Sequence, residues 1–269
     1  MVELYHWHNE PLLIGGLLGT AYAYSLFTGP LRGRCFGQRP LPAHCPWCFY
    51  GALVLFYLTV GSPLDALGEG FLFSAHMVQH NLLMYACPPL FLLGLPSWMV
   101  DDVFVRQPWL RKLTHAATRP LVAGICFSFV FSVWHLPSLY EPALRIKWLH
   151  MLEHLTMLLT SLQMWWGFLA PSRLVPKFHT GTQIVYLFAL MVAQLPLFAV
   201  LTFESEVLYQ TYEWAQRVTP LSAHEDQVLG GLIMKIANMI VSLGLLAGIF
   251  LTWEQSQQAH PTRVRTALA

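Results

Sequence analysis

The sequence has few charged side chains. They make up 11% of the 269 residues, whereas a soluble domain carries roughly 25%. Apolar residues account for 55% of the chain, and its mean hydropathy is +0.49. This shortage of charge excludes an ordinary soluble domain, and a net charge of +1 gives no support for nucleic-acid binding. The sequence therefore predicts a chain embedded largely in lipid.

Other features are also missing. The stretch Met1–Asn9 contains no Lys or Arg, so we expect no cleavable signal peptide, which would begin with basic residues. We find no internal repeat and no low-complexity segment, and we therefore expect one membrane domain over residues 1–269. The five cysteines predict no disulfide framework, because Cys87 and Cys126 fall inside apolar runs.

Long apolar runs are abundant. A membrane-spanning helix needs about 20 mostly apolar residues, and we expect an all-α, polytopic membrane protein with seven transmembrane helices. The predicted spans are residues 11–28, 48–64, 70–95, 120–138, 148–169, 182–202 and 228–252.

The basic residues predict the orientation of these spans. Eleven of the 15 fall on one side of the predicted topology, and three, Arg145, Lys147 and Arg217, fall on the other. Because cytoplasmic loops carry the excess of Lys and Arg, we expect the N-terminus outside and the C-terminus in the cytoplasm.

Histidine pairs are the most informative polar residues. His76 and His80 begin the third predicted span, and His150 and His154 begin the fifth. Residues four apart share one helix face, and ionisable residues inside a membrane are functional candidates by default. His135 ends the fourth span at similar depth, so we expect all five to form a metal site in the outer half of the membrane.

Sulfur-containing residues extend the two histidine faces. At about 100° per residue, the first face continues through Met84 and Cys87, and the second through Met157, Ser161 and Met164. Imidazole binds either copper state, and soft sulfur selects Cu(I). Copper is therefore the expected metal. The candidate secondary ligands are Met77, Met84, Met151, Cys87, Asp226, Met234, Cys45 and Cys48.

Simpler interpretations remain open for each group. Membrane histidines also form hydrogen bonds between helices, membrane methionines usually pack, and His135 before a proline can cap a helix. His6 and His8 are expected in a solvated N-terminus. Lys235 in the last span either forms a buried ion pair with Glu153 or extends to the surface; we expect the pair.

A second cluster of metal-binding residue types lies on the predicted cytoplasmic side. Cys45 and Cys48 form a C-x-x-C motif, with Cys35 and His44 nearby. Such a cluster can hold Cu(I) or Zn(II) or exchange disulfides, although a lone C-x-x-C is often incidental.

The ordered motifs resemble the CtaG-like polytopic membrane family, which is associated with assembly of caa3-type cytochrome c oxidases. The matching segments are Ser62–Asp65, Ser74–Met84, Pro88–Leu90, Trp134–Pro137, His150–His154, Asp226–Gln227 and Gly230–Met234. Two features depart from the family pattern: Lys235 stands where an aromatic residue is expected, and the cysteine-rich segment 35–48 is additional.

The resemblance implies a non-enzymatic assembly factor in the bacterial cytoplasmic membrane. Its shared histidines carry over onto His76, His80, His135, His150 and His154, and its acidic position onto Asp226. The implied partners are a haem-copper oxidase subunit, the surrounding lipid and a copper-donor protein. The alternatives are a b-type cytochrome with haem between the third and fifth helices, a copper transporter, and a purely structural oxidase subunit.

Overall fold

A computed structural model describes residues 5–267, and within that range the regular secondary structure is helical, without strands. The helices are α1 Pro11–Thr28, α2 Arg32–Phe36, α3 His44–Val60, α4 Pro63–Gly70, α5 Phe73–Asn81, α6 Cys87–Gly94, α7 Ser97–Arg106, α8 Pro108–Ala117, α9 Pro120–Trp134, α10 Pro137–Arg145, α11 Lys147–Leu169, α12 Thr180–Ala193, α13 Leu195–Phe203, α14 Gln210–Glu213 and α15 Ala223–Ala267.

Four helical stretches of the described chain are long and apolar enough to cross a membrane. They are Pro11–Thr28, His44–Gly70, Thr180–Phe203 and Ala223–Gln255. Two bent pairs bring the number to six if each is one span: α5–α6 with α7, bent by 79°, and α8 with α9, bent by 69°. The protein is therefore an all-helical membrane protein with four to six candidate spans. The fifth predicted span, 148–169, coincides with the 23-residue α11, whose polar face keeps it out of that set.

Prolines interrupt several of the helices. Pro137 starts α10, so the helix expected to run to 138 ends at Trp134, and Pro196 lies in the first turn of α13. Between α5 and α6, residues Leu82–Ala86 form a π-helical turn immediately before Pro88. Such a turn holds one extra residue and occurs frequently at functional sites.

Glycines let the helices approach closely. A Cβ at Gly94 would lie 2.7 Å from the Phe49 backbone, and the Gly94 carbonyl accepts a 2.9 Å hydrogen bond from the Tyr24 hydroxyl. On α15, Gly230 faces the Phe73 ring, and a Cβ at Gly231 would lie 2.9 Å from Thr202 Oγ1. The Gly230–Gly231 pair therefore allows α15 to approach its neighbours closely.

One end of the bundle brings together four segments that are distant in sequence. They are residues 5–10, 61–72, 135–147 and 204–222, here termed the histidine end. The His8 amide donates to the Gly61 carbonyl at 2.9 Å, and the Tyr212 hydroxyl donates to the Gly68 carbonyl at 2.6 Å. Many large apolar side chains along α9, α12 and α15 are exposed, as expected for surfaces that face lipid.

Candidate metal centre

Four buried side chains form a compact cluster beneath the histidine end. His76 and His80 come from α5, and Glu153 and His154 come from α11. One ligand atom from each lies within 4.8 Å of the others. The two Nε2 atoms of His76 and His80 are 2.7 Å apart, and Glu153 Oε1 lies 3.5 Å from His80 Nε2. We call this group the inner cluster. Three of its four donors are among the five histidines that the sequence singled out, and the fourth, Glu153, lies between the two histidines of the α11 pair.

The inner cluster has more polar atoms than partners. Glu153 is fully buried, and neither of its carboxylate oxygens accepts a hydrogen bond from a described residue. His76 Nδ1, His80 Nδ1 and His154 Nε2 are also buried without partners in that part of the chain. Burying an ionised carboxylate without compensation is costly. A bound cation or a proton would therefore stabilise this arrangement.

His135 lies beside the cluster, after the end of α9. Its ring centre is 5.7 Å from that of His80. Nδ1 lies 2.6 Å from the Phe131 carbonyl oxygen and donates to it, so Nε2 carries the lone pair, buried and without a partner among the described residues. A hydrogen bond at one ring nitrogen fixes the tautomer that leaves the other free to bind a metal.

Helix α4 contributes two carboxylates that the sequence interpretation did not include in the site. Glu69 pairs with His150 Nδ1, and Asp65 Oδ2 lies 2.7 Å from His8 Nδ1. Asp65 also accepts from the Gln79 amide, whose nitrogen donates to the Thr59 carbonyl at 3.0 Å. The available signal was the spacing of Asp65 and Glu69, four residues apart on a short helix.

Three tyrosines cover the cluster from the histidine end. The Tyr212 hydroxyl donates to the Gly68 carbonyl, so in its 2.9 Å bond with Tyr140 the Tyr140 hydroxyl is the donor. Tyr209 donates to the His135 carbonyl at 2.8 Å, and the rings of Tyr140 and His76 are 5.2 Å apart. Burial raises the pKa of the Tyr140 and Tyr212 phenols well above the ordinary value. The phenols stay neutral and shield the cluster from water.

The sulfur face predicted for α11 is confirmed as a buried face, because Met157, Ser161 and Met164 are all buried below His154. The face predicted for α5 does not continue regularly. The π turn at Leu82–Ala86 breaks the 100° periodicity between His80 and Cys87. Met84 is buried, and Cys87 lines a cavity next to His154.

The other candidate secondary ligands lie outside the inner cluster. Met77 faces Gly230 on α15, Met234 is buried on that same helix, and Met151 is half exposed. Asp226 caps α5: its oxygens accept from the Phe73 amide at 2.7 Å and from Ser74. This capping is a structural role for the acidic position.

The cysteine motif is remote from the histidines. Cys45 and Cys48 lie at the start of α3, whose other end joins the histidine end. At 1.5 Å per residue, the intervening helix separates them from the histidine end by about 18 Å or more. Cys45 Sγ lies 3.6 Å from His44 Nε2, and all five cysteines, Cys35 included, are free.

The expected ion pair between Glu153 and Lys235 is wrong for the described residues. The basic groups near Glu153 are His76 and His80. The Lys235 ammonium instead lies 5.5 Å from the centre of the Phe198 ring. The reason is the direction in which each side chain leaves the helix. Successive helical residues are rotated by about 100°, so Met234 is buried against the core and Lys235 points towards α13.

A family model described as cytochrome c oxidase caa3 assembly factor (Caa3_CtaG) matches residues 22–256. The chain belongs to this family. The caa3 assembly-factor match covers most of the chain and every member of the inner cluster, and it confirms the resemblance inferred from the motifs. No curated protein and no solved structure matches the chain.

Membership of the caa3 assembly-factor family indicates a non-catalytic role and association with the oxidase. The apolar helices fit a multi-pass protein of a bacterial membrane. His6 and His8 lie before the matched residues, whereas Asp65, Glu69 and the three tyrosines lie within them.

Proposed function

We propose that this caa3 assembly factor binds copper in the inner cluster and delivers it to the buried copper centre of a haem-copper oxidase subunit. The observation that carries the proposal is the convergence of His76, His80, His154 and Glu153 within 4.8 Å, with unpartnered buried atoms on each. Ligand atoms around a four-coordinate ion lie about 3.3 Å apart, so small side-chain movements would complete the site.

The donor set supports copper as the cargo. Imidazole nitrogens suit copper in both oxidation states, and the carboxylate offsets the charge of the ion in a buried site. Met157 lies one helical turn below His154 on the same buried face, so a thioether is available to favour Cu(I) during transfer. Delivery by exchange of ligands requires no catalysis by this chain, and a soluble copper donor would load the site from the histidine end.

We further propose that α11 crosses the membrane as well, which adds one span to the six candidates and gives seven. The histidine end then lies on the outer side of the bacterial cytoplasmic membrane. The 23 residues of α11 extend about 35 Å, which is sufficient to cross the hydrocarbon core. Its polar residues pack inside the bundle, and the eleven basic residues opposite the histidine end favour this orientation.

Haem fits the geometry less well than copper. Haem between α5 and α11 would need a flat macrocycle between one imidazole from each helix, whereas Glu153 Oε1 lies 3.5 Å from His80 Nε2 and ligand atoms of both helices lie within 4.8 Å of one another.

The test is the metal content and absorption spectrum of the detergent-purified protein. We expect nearly one copper in the inner cluster and no Soret band, with copper bound much more weakly in His76→Ala/His80→Ala and in His76→Ala/His150→Ala. His115→Ala, which removes an exposed imidazole on α8, is the matched control and should retain copper. Iron with a Soret band would show that the protein is a cytochrome and would overturn the proposal. Unchanged copper binding in both double variants would overturn the assignment of the site.

A further inference from the structure

A second group of metal-ligating side chains adjoins the inner cluster on the side of the histidine end. Ligand atoms of Asp65, His150 and His154 lie within 4.8 Å of one another, and all three residues are buried. Glu69 pairs with His150, and His8 pairs with Asp65. We call Asp65, Glu69, His150 and His154 the outer group. It shares His154 with the inner cluster.

The outer group contains free ligand atoms as well as ion pairs. Nε2 of His150 and Nε2 of His154 are buried and have no hydrogen-bond partner among the described residues. Both residues are more than nine-tenths buried. A short helix with two carboxylates would not by itself define a site. The two buried, unpartnered imidazole nitrogens beside these carboxylates are the second observation that points to metal binding.

A cavity of about 1010 Å³ reaches the outer group. It is lined at one end by His8, Asp65, Glu69, His150 and His154, whereas His76, His80 and Glu153 do not line it. An ion that enters this cavity therefore meets the outer group before the inner cluster.

Burial increases along the same direction. The His8 and Glu69 side chains are 25% and 31% exposed, those of Asp65 and His150 are 6% and 7% exposed, and those of His76, His80 and Glu153 are 0% exposed. The carboxylates of Asp65 and Glu69 thus lie where an ion arrives with part of its hydration shell. Imidazoles make up most of the inner cluster, where the ion is fully desolvated. Oxygen donors suit a hydrated cation, and nitrogen donors suit a desolvated copper ion.

We propose that the outer group is a second metal station, which receives a copper ion from the solvent side and passes it to the inner cluster through the shared ligand His154. The transfer is an exchange of ligands: bonds from the ion to Asp65 and His150 break as bonds to His76 and His80 form. The oxidation state of the ion does not change. This inference rests on the proposed function, because it assumes that the inner cluster holds copper.

The test is the rate of copper loading into the full-length, detergent-purified protein from a chromogenic Cu(I)–bicinchoninate complex. We expect Asp65→Asn/Glu69→Gln to reach the wild-type copper content at equilibrium but to load at least tenfold more slowly. We expect His76→Ala/His80→Ala to retain a weaker copper site, and addition of Asp65→Asn to that variant to abolish it.

His8→Ala provides a milder variant in case the Asp65 substitution impairs folding. His8 is part-exposed and contacts Asp65, so its removal should slow loading several-fold without changing the copper content. His115→Ala is the control for a lost imidazole and should load at the wild-type rate.

The outcomes separate the two proposals. A wild-type protein that binds no copper overturns both. Copper bound normally, with loading rates unchanged in the Asp65→Asn/Glu69→Gln and His8→Ala variants, overturns the outer station and leaves the inner cluster intact. Complete loss of copper in His76→Ala/His80→Ala also overturns the outer station.

Discussion

Glu153 has the least favourable surroundings of any described acidic residue unless a cation is near. It is fully buried, its oxygens accept no hydrogen bond within the described part of the chain, and its nearest ionisable neighbours are imidazoles. A structural carboxylate in a membrane protein is normally paired and hydrogen-bonded. Asp226 meets that expectation by capping α5, and the contrast supports the ligand-binding role proposed for Glu153.

Glu153→Gln should weaken copper binding and stabilise the metal-free protein. The amide keeps the shape of the side chain but loses the charge that attracts the ion. We expect the dissociation constant for Cu(I), measured by chelator competition, to rise by at least tenfold, since groups that support metal ligands contribute about 10- to 100-fold. The metal-free protein should melt at a higher temperature, because an unpaired buried carboxylate is removed.

Met151→Leu is the matched control on the same helix. Met151 is half exposed, so its removal should leave copper affinity within twofold of the wild type. An unchanged dissociation constant in Glu153→Gln would show that the carboxylate does not contact the ion.

Spacing in the sequence singled out two histidine pairs, and depth along the fourth predicted span added His135, but neither could assign their partners. The i,i+4 rule acts within one helix, so it placed His76 with His80 and His150 with His154. The partners Asp65 and Glu69 depend on how α4 packs on α5, which local periodicity does not encode. Lys235 was paired incorrectly for the same reason: its depth was estimated from position along the chain, but its direction depends on the phase of α15.

At the scale of elements, the short helix α4 is held directly against α5. A Cβ at Gly68 would lie 3.0 Å from His76 Cα, and the Gly68 carbonyl accepts the Tyr212 hydroxyl. This contact positions the carboxylates of α4 relative to the histidines of α5. The absence of a side chain at residue 68 is therefore a requirement of the site.

Gly68→Ala should move α4 away from α5. Because the nearest atoms belong to the backbone of His76, they cannot yield as a flexible side chain would, and the added methyl group should cost about 1–3 kcal/mol. We expect a lower thermal midpoint in detergent and weaker copper binding. Gly70→Ala is the control in the same helix, because a Cβ there meets nothing within 4 Å. Equal midpoints for the two variants would contradict the close packing described here.

The contact between α15 and α5 allows a similar comparison. Gly230→Ala places a methyl group against the Phe73 ring, whereas at Gly244 on the same helix a Cβ meets nothing within 4 Å. Both substitutions raise helix propensity equally, so only Gly230→Ala should lower the thermal midpoint. An equally lowered midpoint in Gly244→Ala would mean that close packing at Gly230 does not determine the result.

Most elements were predictable because apolar run length and proline positions determine where membrane helices begin and end. The π turn at Leu82–Ala86 was not, because the segment has no distinct composition. It arises from packing: α5 is fixed by Asp226 and Gly68, whereas α6 is fixed by the contact of Gly94 with Phe49. The extra residue accommodates both constraints.

At the scale of the whole molecule, the number of spans decides on which sides the two ends lie. The histidine end includes residues 5–10, and α15 runs from Ala223 away from that end. With seven spans the histidine end and the C-terminus lie on opposite sides of the membrane, as a membrane-spanning α15 that starts at the histidine end requires, whereas six spans would put them on the same side. The basic residues favour seven.

Fusions to the full chain test this topology. Green fluorescent protein attached after residue 269 should fluoresce in cells, and alkaline phosphatase attached there should be inactive, because the C-terminus is expected in the cytoplasm. Alkaline phosphatase inserted within residues 204–222 should be active. Activity at both positions would indicate an even number of spans and would remove the basis for placing the histidine end outside.

The extra residue in the π turn divides one membrane helix into two halves with separate rotational settings. The half that carries His76 and His80 is oriented by α4 and α15, and the half that carries Gly94 is oriented by α1 and α3. Rotation of the first half therefore need not disturb the second. The rotational setting of the histidine pair is thus determined by α4 and α15, while the lower part of the helix keeps its own place in the bundle.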